Sequence, residues 1–215
     1  MYVFDICDTL YFSNTTFDFI PFVLEREKAF LRKVLFKIYT IRFSPIFLSF
    51  YFLNKITSID HCRKYSLLLL SGISKDDLYS YGREFHSQYL KNKEVKETHL
   101  KLKEAIKTGE IVILLSSSID PIVDAISQDF NVQYQSSSLV YENDICTGKL
   151  AYDLTNKKHI EVTKFQAGEE LITVVTDNFS DQELMKLAET RYAVIYKKSA
   201  KQFWDPLKPY YIDLS

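Results

Sequence analysis

The chain has 215 residues, of which 47% are hydrophobic and 26% charged, and its formal net charge is −1. This composition is typical of a folded globular protein and argues against wholesale disorder and against a broad basic surface for nucleic acid. The three cysteines are far apart and form neither a disulfide framework nor a CxxC pair. Asp5 and Asp8 interrupt any apolar leader at the start of the chain, so we expect a cytoplasmic protein.

The first predicted element is a short buried strand over residues 1–4, which stops at Asp5. Residues 16–95 differ in composition from the rest of the chain, because they are rich in Phe, Leu, Tyr, Lys and Arg, which recur at helical spacing. We call this segment the helical block and predict that it is inserted between the first strand and the rest of the fold. Within it, Pro45 predicts a break or a helix start, and Ser74 predicts the N-cap of a later helix.

From residue 100 onward, predicted helices and strands alternate. Apolar runs predict strands at 111–115, 171–175 and 193–196, and residues 132–150 predict short strands or a hairpin. Helices are predicted near Ile106, after Pro121, from Lys158 to a point before Gly168, and near Leu184. Alternation of this kind implies a parallel sheet with helices on both faces. The predicted fold class is therefore α/β, a doubly wound parallel sheet built from residues 1–15 and 96–215.

Polar side chains stand where three of the predicted strands end, at Asp5, Ser116 and Asp177. In open α/β sheets ligands bind outside the carboxyl ends of the strands, so these three groups are expected to face one crevice. Each group alone has an ordinary explanation as a turn or helix-capping residue, and Lys157 and Lys158 alone would be solvated. Their order and strand context together indicate a site.

Four segments carry a resemblance to a known family: 3–10 (VFDICDTL), 113–116 (ILLS), the lysines at 157–158, and 174–181 (VVTDNFSD). In this order they resemble the motifs of the haloacid dehalogenase superfamily of phosphohydrolases, which has a Rossmann-like core. The helical block lies between the first and second motifs. That position is similar to the subclass with an inserted α-helical cap, which includes phosphoserine phosphatase. The resemblance covers most of the chain outside the helical block.

The resemblance implies a Mg²⁺-dependent phosphatase that hydrolyses a phosphate monoester through an aspartyl-phosphate on Asp5. It makes Asp5 both nucleophile and metal ligand, and Asp177 the second ligand carboxylate. Asp181 would be an outer or alternate ligand, and Cys7 would bind the metal through its backbone carbonyl. Oxygen ligands suit Mg²⁺, and a cation between two carboxylates offsets their repulsion of a phosphate.

The resemblance also implies a set of groups that hold the phosphoryl oxygens. Ser116 and a lysine would do so, with Ser117 and Thr9 completing the substrate-binding set. Lys158 is preferred to Lys157, because an inward face made by Val162 and Phe165 puts Lys158 at the start of the helix.

The first motif departs from the family pattern at Cys7, where phosphatases of the family carry a second aspartate as general acid and base. Asp8 follows where glycine is usual. A thiol is a weak proton donor, and general acid–base help contributes roughly 10²–10⁴-fold to a rate. Three alternatives stay open: Asp8 takes the acid role, the chain is an impaired binding protein, or it is a phosphotransferase that passes phosphate from Asp5 to an alcohol.

The helical block is unusually aromatic and also basic. It is similar to the caps of family phosphatases that act on phosphatidylglycerophosphate and other lipid phosphates, although ordinary helical packing explains the same residues. We therefore expect a small-molecule or lipid phosphate substrate, no nucleic-acid partner, and possible peripheral contact with the inner membrane surface. Residues 43–53, too short to span a membrane, are hypothesised to line an apolar route to the site or to face a membrane.

Overall fold

The computed structural model describes residues 1–57, 59–165 and 171–215. In these residues the sheet has seven strands in the order β4-β3-β2-β1-β5-β6-β7. All neighbouring strands pair in parallel except β4, which is antiparallel to β3. The strands are β1 (Tyr2–Phe4), β2 (Val112–Ile119), β3 (Gln133–Glu142), β4 (Ile145–Tyr152), β5 (Thr173–Thr176), β6 (Thr190–Ile195) and β7 (Tyr210–Asp213).

Ten α-helices accompany these strands in the described ranges. They are α1 (Thr15–Arg26), α2 (Phe30–Thr40), α3 (Pro45–Thr57), α4 (His61–Leu68), α5 (Lys75–Gln88), α6 (Lys96–Lys107), α7 (Asp120–Phe130), α8 (Lys158–Glu161), α9 (Gln182–Leu187) and α10 (Ser199–Trp204). No single one of them combines the length and the apolarity of a membrane span, whereas α2 and α3 taken together do, with a bend of 57° between them.

Hydrophobic cores lie on both faces of the sheet, because neighbouring strand residues point to opposite sides. Phe4 and Leu114 join the core that α6 and α7 cover, which includes Leu102 and Ile122. Val3 and Ile113 belong to the opposite core, beneath α8, α9 and α10. The predicted doubly wound parallel sheet is confirmed.

The helical block shares the first of these cores, since Phe19 and Phe85 are buried in the same cluster as Phe4. Two local predictions are confirmed there: α3 begins at Pro45, and the Ser74 hydroxyl accepts the backbone N–H of Asp77 at 3.0 Å. Helix α5 packs closely on α7. A Cβ at Gly82 would lie 2.1 Å from the carbonyl oxygen of Pro121, so glycine is needed for this approach.

Other elements differ from the prediction in their extent. Strand β2 continues past residue 115, because Ser116 still pairs with Ser136 and, after a bulge, Ile119 pairs with Ser137. The helix from Lys158 lasts one turn and continues as a 3₁₀ turn over Val162–Phe165, and its predicted end before Gly168 lies outside the described residues. The predicted hairpin at 132–150 is confirmed as β3 and β4. Strand β7 was not predicted.

Candidate active site

The site lies at the carboxyl end of β1, in the middle of the sheet. Phe4 pairs with Leu114 of β2 on one side and with Val175 of β5 on the other. The chain leaves β1 towards β2 and later returns to β5 on the opposite side, so this is the point at which the strand order reverses. The residues that follow these pairs, including Asp5, Ser116 and Asp177, emerge at the same edge of the sheet, where open α/β folds bind ligands.

Asp5 and Lys158 form a buried ion pair at this edge. The Lys158 Nζ lies 2.8 Å from Asp5 Oδ1 and 2.7 Å from Asp181 Oδ2, and Asp5 is only 4% exposed. Burial raises the pKa of Asp5 to about 6, against the opposing effect of Lys158. Burial alone would lower the pKa of Lys158, but Asp181 and Asp5 outweigh it and raise that pKa. Lys157, by contrast, lies exposed over the ring of Tyr152.

Asp177 is held in place by Thr9. The Thr9 hydroxyl donates to Asp177 Oδ1 at 2.8 Å and accepts the backbone N–H of Asp177 at 2.9 Å. Burial and repulsion by Asp5 raise the pKa of Asp177 to about 8. Thr9 was expected to bind substrate, but it is fully buried and its donor and acceptor are both used on Asp177. In the structure Thr9 therefore orients Asp177, and its expected contact with substrate stays a prediction.

Asp181 orients the lysine. Its Oδ2 accepts both Lys158 Nζ and the Thr176 hydroxyl at 2.7 Å, and Asp181 is buried. Among the residues described, no three His, Cys, Asp or Glu side chains converge closely enough to share a metal ion. Asp5, Asp177 and Asp181 thus do not form a three-carboxylate site.

The donor set nevertheless suits Mg²⁺, which commonly uses one or two carboxylates and completes its shell with other oxygens and water. Asp5 and Asp181 share the single ammonium of Lys158, and Asp177 lies near enough to Asp5 for the two to repel each other, so this region is short of positive charge. A divalent cation would offset that deficit.

Ser116 and Ser117 lie on β2 beside this cluster. Ser116 is fully buried, and its hydroxyl accepts the backbone N–H of Ser118 at 3.3 Å. The Ser117 carbonyl accepts Arg63 Nη2 at 2.5 Å, and Arg63 Nη1 also reaches Asp153 at 2.8 Å. Arg63 belongs to α4, so a half-buried arginine links the helical block to the strand that carries Ser116.

Cys7 is held by two hydroxyl groups. Its Sγ lies 3.1 Å from Thr15 Oγ1 and 3.2 Å from Ser118 Oγ, and these two hydroxyls also bond to each other. Burial, followed by the charge of Asp5, raises the pKa of the Cys7 thiol. The thiol therefore stays protonated at neutral pH and cannot act as a base.

Asp8 adopts a left-handed backbone conformation with φ of 48°. Its carbonyl accepts a hydrogen bond from the Tyr196 hydroxyl, which ties the loop that follows β1 to the residue just after β6. Burial and the charge of Asp18 raise the pKa of the half-buried Asp8 carboxyl. An open cavity of about 460 Å³ adjoins the site at Asp177, with Phe179, Tyr196 and Phe203 in its wall.

Sequence reasoning missed several residues of this arrangement. Thr176 precedes Asp177 directly, and Ser118 directly follows Ser116 and Ser117, so both carried a local signal. Thr15 and Arg63 carried none, because they reach the site only through the packing of α1 and α4 against the sheet.

No family model matches the chain, and no curated protein matches it. Solved structures do. The chain superposes on a protein of unknown function from Bordetella pertussis Tohama I with a TM-score of 0.74 at 15% identity, covering 100% of this chain and 98% of that one. An apo phosphoserine phosphatase gives a TM-score of 0.58 at 16% identity, with 94% and 89% covered. A haloacid dehalogenase family hydrolase from Salmonella enterica serovar Typhi gives 0.67 at 12% identity, with 98% and 66% covered. The chain therefore has the fold of the haloacid dehalogenase-like hydrolases.

Proposed function

We propose that the chain is a Mg²⁺-dependent phosphatase that hydrolyses a phosphate monoester through an aspartyl-phosphate on Asp5. The observation that carries this proposal is the buried Asp5 at the switch point of the sheet, whose Oδ1 lies 2.8 Å from Lys158 Nζ and whose charge repels that of Asp177. A carboxylate in this setting is ionised at neutral pH and faces the crevice in which such folds bind ligands. The chain shares its fold with phosphoserine phosphatase and with a haloacid dehalogenase family hydrolase, and this supports hydrolysis as the reaction class.

In the proposed reaction a carboxylate oxygen of Asp5 attacks phosphorus, and the bond from phosphorus to the leaving alcohol breaks. Asp8 donates a proton to that alcohol in the role that Cys7 cannot fill. Water then gives a proton to the Asp8 carboxylate and attacks phosphorus, and the bond from phosphorus to the Asp5 oxygen breaks, which releases phosphate and regenerates both Asp5 and the protonated Asp8. Lys158 offsets negative charge on the phosphoryl group and on Asp5, and the Ser116 hydroxyl donates to a phosphoryl oxygen, with Ser117 beside it.

Asp5, Asp177 and the Cys7 carbonyl would hold Mg²⁺, with Asp181 as an outer ligand. When bound, the ion neutralises charge on the transferring phosphoryl group. We also propose that the helical block is a cap over a core made of residues 1–15 and 96–215. The described residues of the helical block form helices and contribute no strand to the sheet, which supports this division, and Arg63 on α4 joins the block to β2. The substrate is a small-molecule or lipid phosphate, and peripheral contact with a membrane is part of the same proposal.

Hydrolysis of p-nitrophenyl phosphate in the presence of Mg²⁺ tests the reaction class. Wild-type protein should be active, and Asp5→Asn should abolish that activity because the nucleophile is lost. The matched control is Asp129→Asn, an exposed aspartate on α7, purified in the same way and expected to keep full activity. Activity that survives in Asp5→Asn would contradict the proposal.

A second candidate is a binding protein that keeps the fold but has lost turnover, and the bonding of Cys7 favours it. A protonated thiol fixed by Thr15 and Ser118 gives no acid–base help. Cys7→Asp restores a carboxylate at that position, and Cys7→Ser is the control of similar size. Activity found in Cys7→Asp but in neither wild type nor Cys7→Ser would support this candidate over the first.

A further inference from the structure

The outer surface of α2, α3 and the turn between them is strongly apolar. Thirteen of the 23 large hydrophobic side chains that are exposed in the described ranges lie between residues 30 and 59. Leu48, Phe52 and Ile56 recur at every fourth position of α3 and therefore form one stripe. Phe43, in the turn, is 88% exposed, and Leu31 on α2 is 76% exposed. We call the surface formed by Leu31, Phe43, Leu48, Phe52, Ile56 and their exposed apolar neighbours on these helices the α2–α3 surface.

The opposite side of these helices already has partners. Phe50 is buried and stacks in parallel on Tyr65 of α4 with ring centroids 5.0 Å apart, and Phe36 is buried in the main core. The α2–α3 surface is thus the side of a packed helix pair that faces away from the protein. Exposed apolar area of this extent is rare on a soluble monomer and marks a contact surface.

The charge of the same segment selects the kind of partner. Residues 28–57 contain six basic residues and no Asp or Glu, whereas the whole chain carries −1, so the rest of the chain carries −7. The basic residues are Lys28, Arg32, Lys33, Lys37, Arg42 and Lys55. A second copy of the chain would bring the same positive charge to the contact and be repelled. Apolar side chains flanked by lysine and arginine suit an anionic bilayer, whose headgroups attract the charge while the acyl region accepts the side chains.

We infer that the α2–α3 surface docks the protein onto an anionic lipid bilayer, with Phe43, Phe52 and Ile56 entering the interface. This inference rests on the membrane contact in the proposed function. It specifies which surface of the protein binds the membrane and that the bound lipid is anionic. It does not depend on catalysis, since no residue of the α2–α3 surface belongs to the candidate active site.

Co-sedimentation with vesicles tests the inference on the full chain. The protein should bind vesicles that contain phosphatidylglycerol and should bind pure phosphatidylcholine vesicles much more weakly. The double variant Phe43→Ser/Phe52→Ser should lose binding. The control is Leu100→Ser on α6. The Leu100 side chain is 68% exposed and is far from this surface in the sequence, so this variant should bind like wild type.

Charge is tested separately by Lys37→Gln and Arg42→Gln, each of which should weaken binding to the anionic vesicles roughly fivefold. Lys107→Gln on α6 is the matched control. Circular dichroism and activity on p-nitrophenyl phosphate, measured on every variant, show that the fold and the proposed catalysis are intact.

Three results would overturn the inference: no binding to either vesicle, equal binding to both, or binding that survives Phe43→Ser/Phe52→Ser. A dimer in sedimentation equilibrium that this double variant dissolves, together with absent vesicle binding, would assign the α2–α3 surface to self-association instead. Phosphatase activity that persists when vesicle binding fails would leave the proposed reaction standing.

Discussion

At the scale of single residues, two adjacent lysines have opposite surroundings. Lys158 is buried between Asp5 and Asp181, while Lys157 lies exposed over Tyr152. Lys158→Met should lower turnover by about 10²-fold or more, because the charge that faces the phosphoryl group is lost. It should also destabilise the fold by about 3–5 kcal/mol, since two buried carboxylates lose their partner.

Lys157→Met is the matched control and should cost less than about 1 kcal/mol. Steady-state kinetics and urea unfolding of both variants measure the two effects. Equal losses in the two variants would remove Lys158 from the site.

Asp8→Asn separates proton transfer from structure at the neighbouring position. Asparagine tolerates the left-handed backbone of residue 8, so the loop should keep its shape. Turnover of an alkyl phosphate should fall by about 10²-fold or more, whereas p-nitrophenyl phosphate, whose leaving group needs little protonation, should lose far less. An equal loss on both substrates would show that Asp8 acts through structure alone.

At the scale of elements, the contact between α5 and α7 depends on Gly82. In an ordinary helix Gly→Ala gains about 1 kcal/mol, but here the new Cβ would meet the Pro121 carbonyl oxygen at 2.1 Å. Overpacking against backbone costs about 1–3 kcal/mol or more, so Gly82→Ala should lower the melting temperature by several degrees. Ser87→Ala, on an exposed position of α5, should leave it nearly unchanged. A more stable Gly82→Ala protein would contradict this packing.

The elements that sequence could predict are those whose signal is local. The apolar runs before Asp5 and Asp177 predicted β1 and β5, and Ser74 predicted the start of α5. Strand β7 was missed because it is short and lies at the sheet edge. The extension of β2 through Ser116 depends on pairing with β3, which no local pattern shows. The order of the motifs predicted which charged groups meet, whereas the engagement of Thr9 with Asp177 required the assembled fold.

At the scale of the whole molecule, Mg²⁺ should stabilise the fold. A ligand that binds only the native state at a concentration 100 times its Kd adds about 2.7 kcal/mol to the free energy of unfolding. The melting temperature should therefore rise when Mg²⁺ is added and fall back with a chelator. Asp177→Asn should lose the rise, and Asp129→Asn should keep it. A rise of equal size in Asp177→Asn would place the ion elsewhere.

Acid should destabilise the protein through two buried histidines. Burial lowers the pKa of His86, which bonds to Tyr11 at 3.0 Å, and of His99, so the native state favours their neutral forms. Because the unfolded chain takes up protons near pH 6.5, their contribution to stability is complete above that pH and is lost as the pH falls below it.

Thermal unfolding between pH 8 and pH 5 measures this effect. Since Asp5 and Asp177 titrate in the same range with the opposite sign, the comparison is between wild type and His99→Gln, which should lose less stability on acidification. His159→Gln, at a less buried histidine, should follow wild type. Parallel curves for wild type and His99→Gln would contradict the prediction.

The bond from Arg63 to the Ser117 carbonyl affects how tightly the proposed phosphate ester binds. Asp5 and Ser116 are buried. We expect a phosphate ester to reach them in conformers in which α4 has moved away from β2, and in these the bond from Arg63 to the Ser117 carbonyl is broken. The apparent Kd of the protein for its ester is then the intrinsic Kd divided by the fraction of such conformers. Each bond from a charged donor contributes about 1.5–3 kcal/mol, so this one arginine lowers that fraction by about tenfold or more.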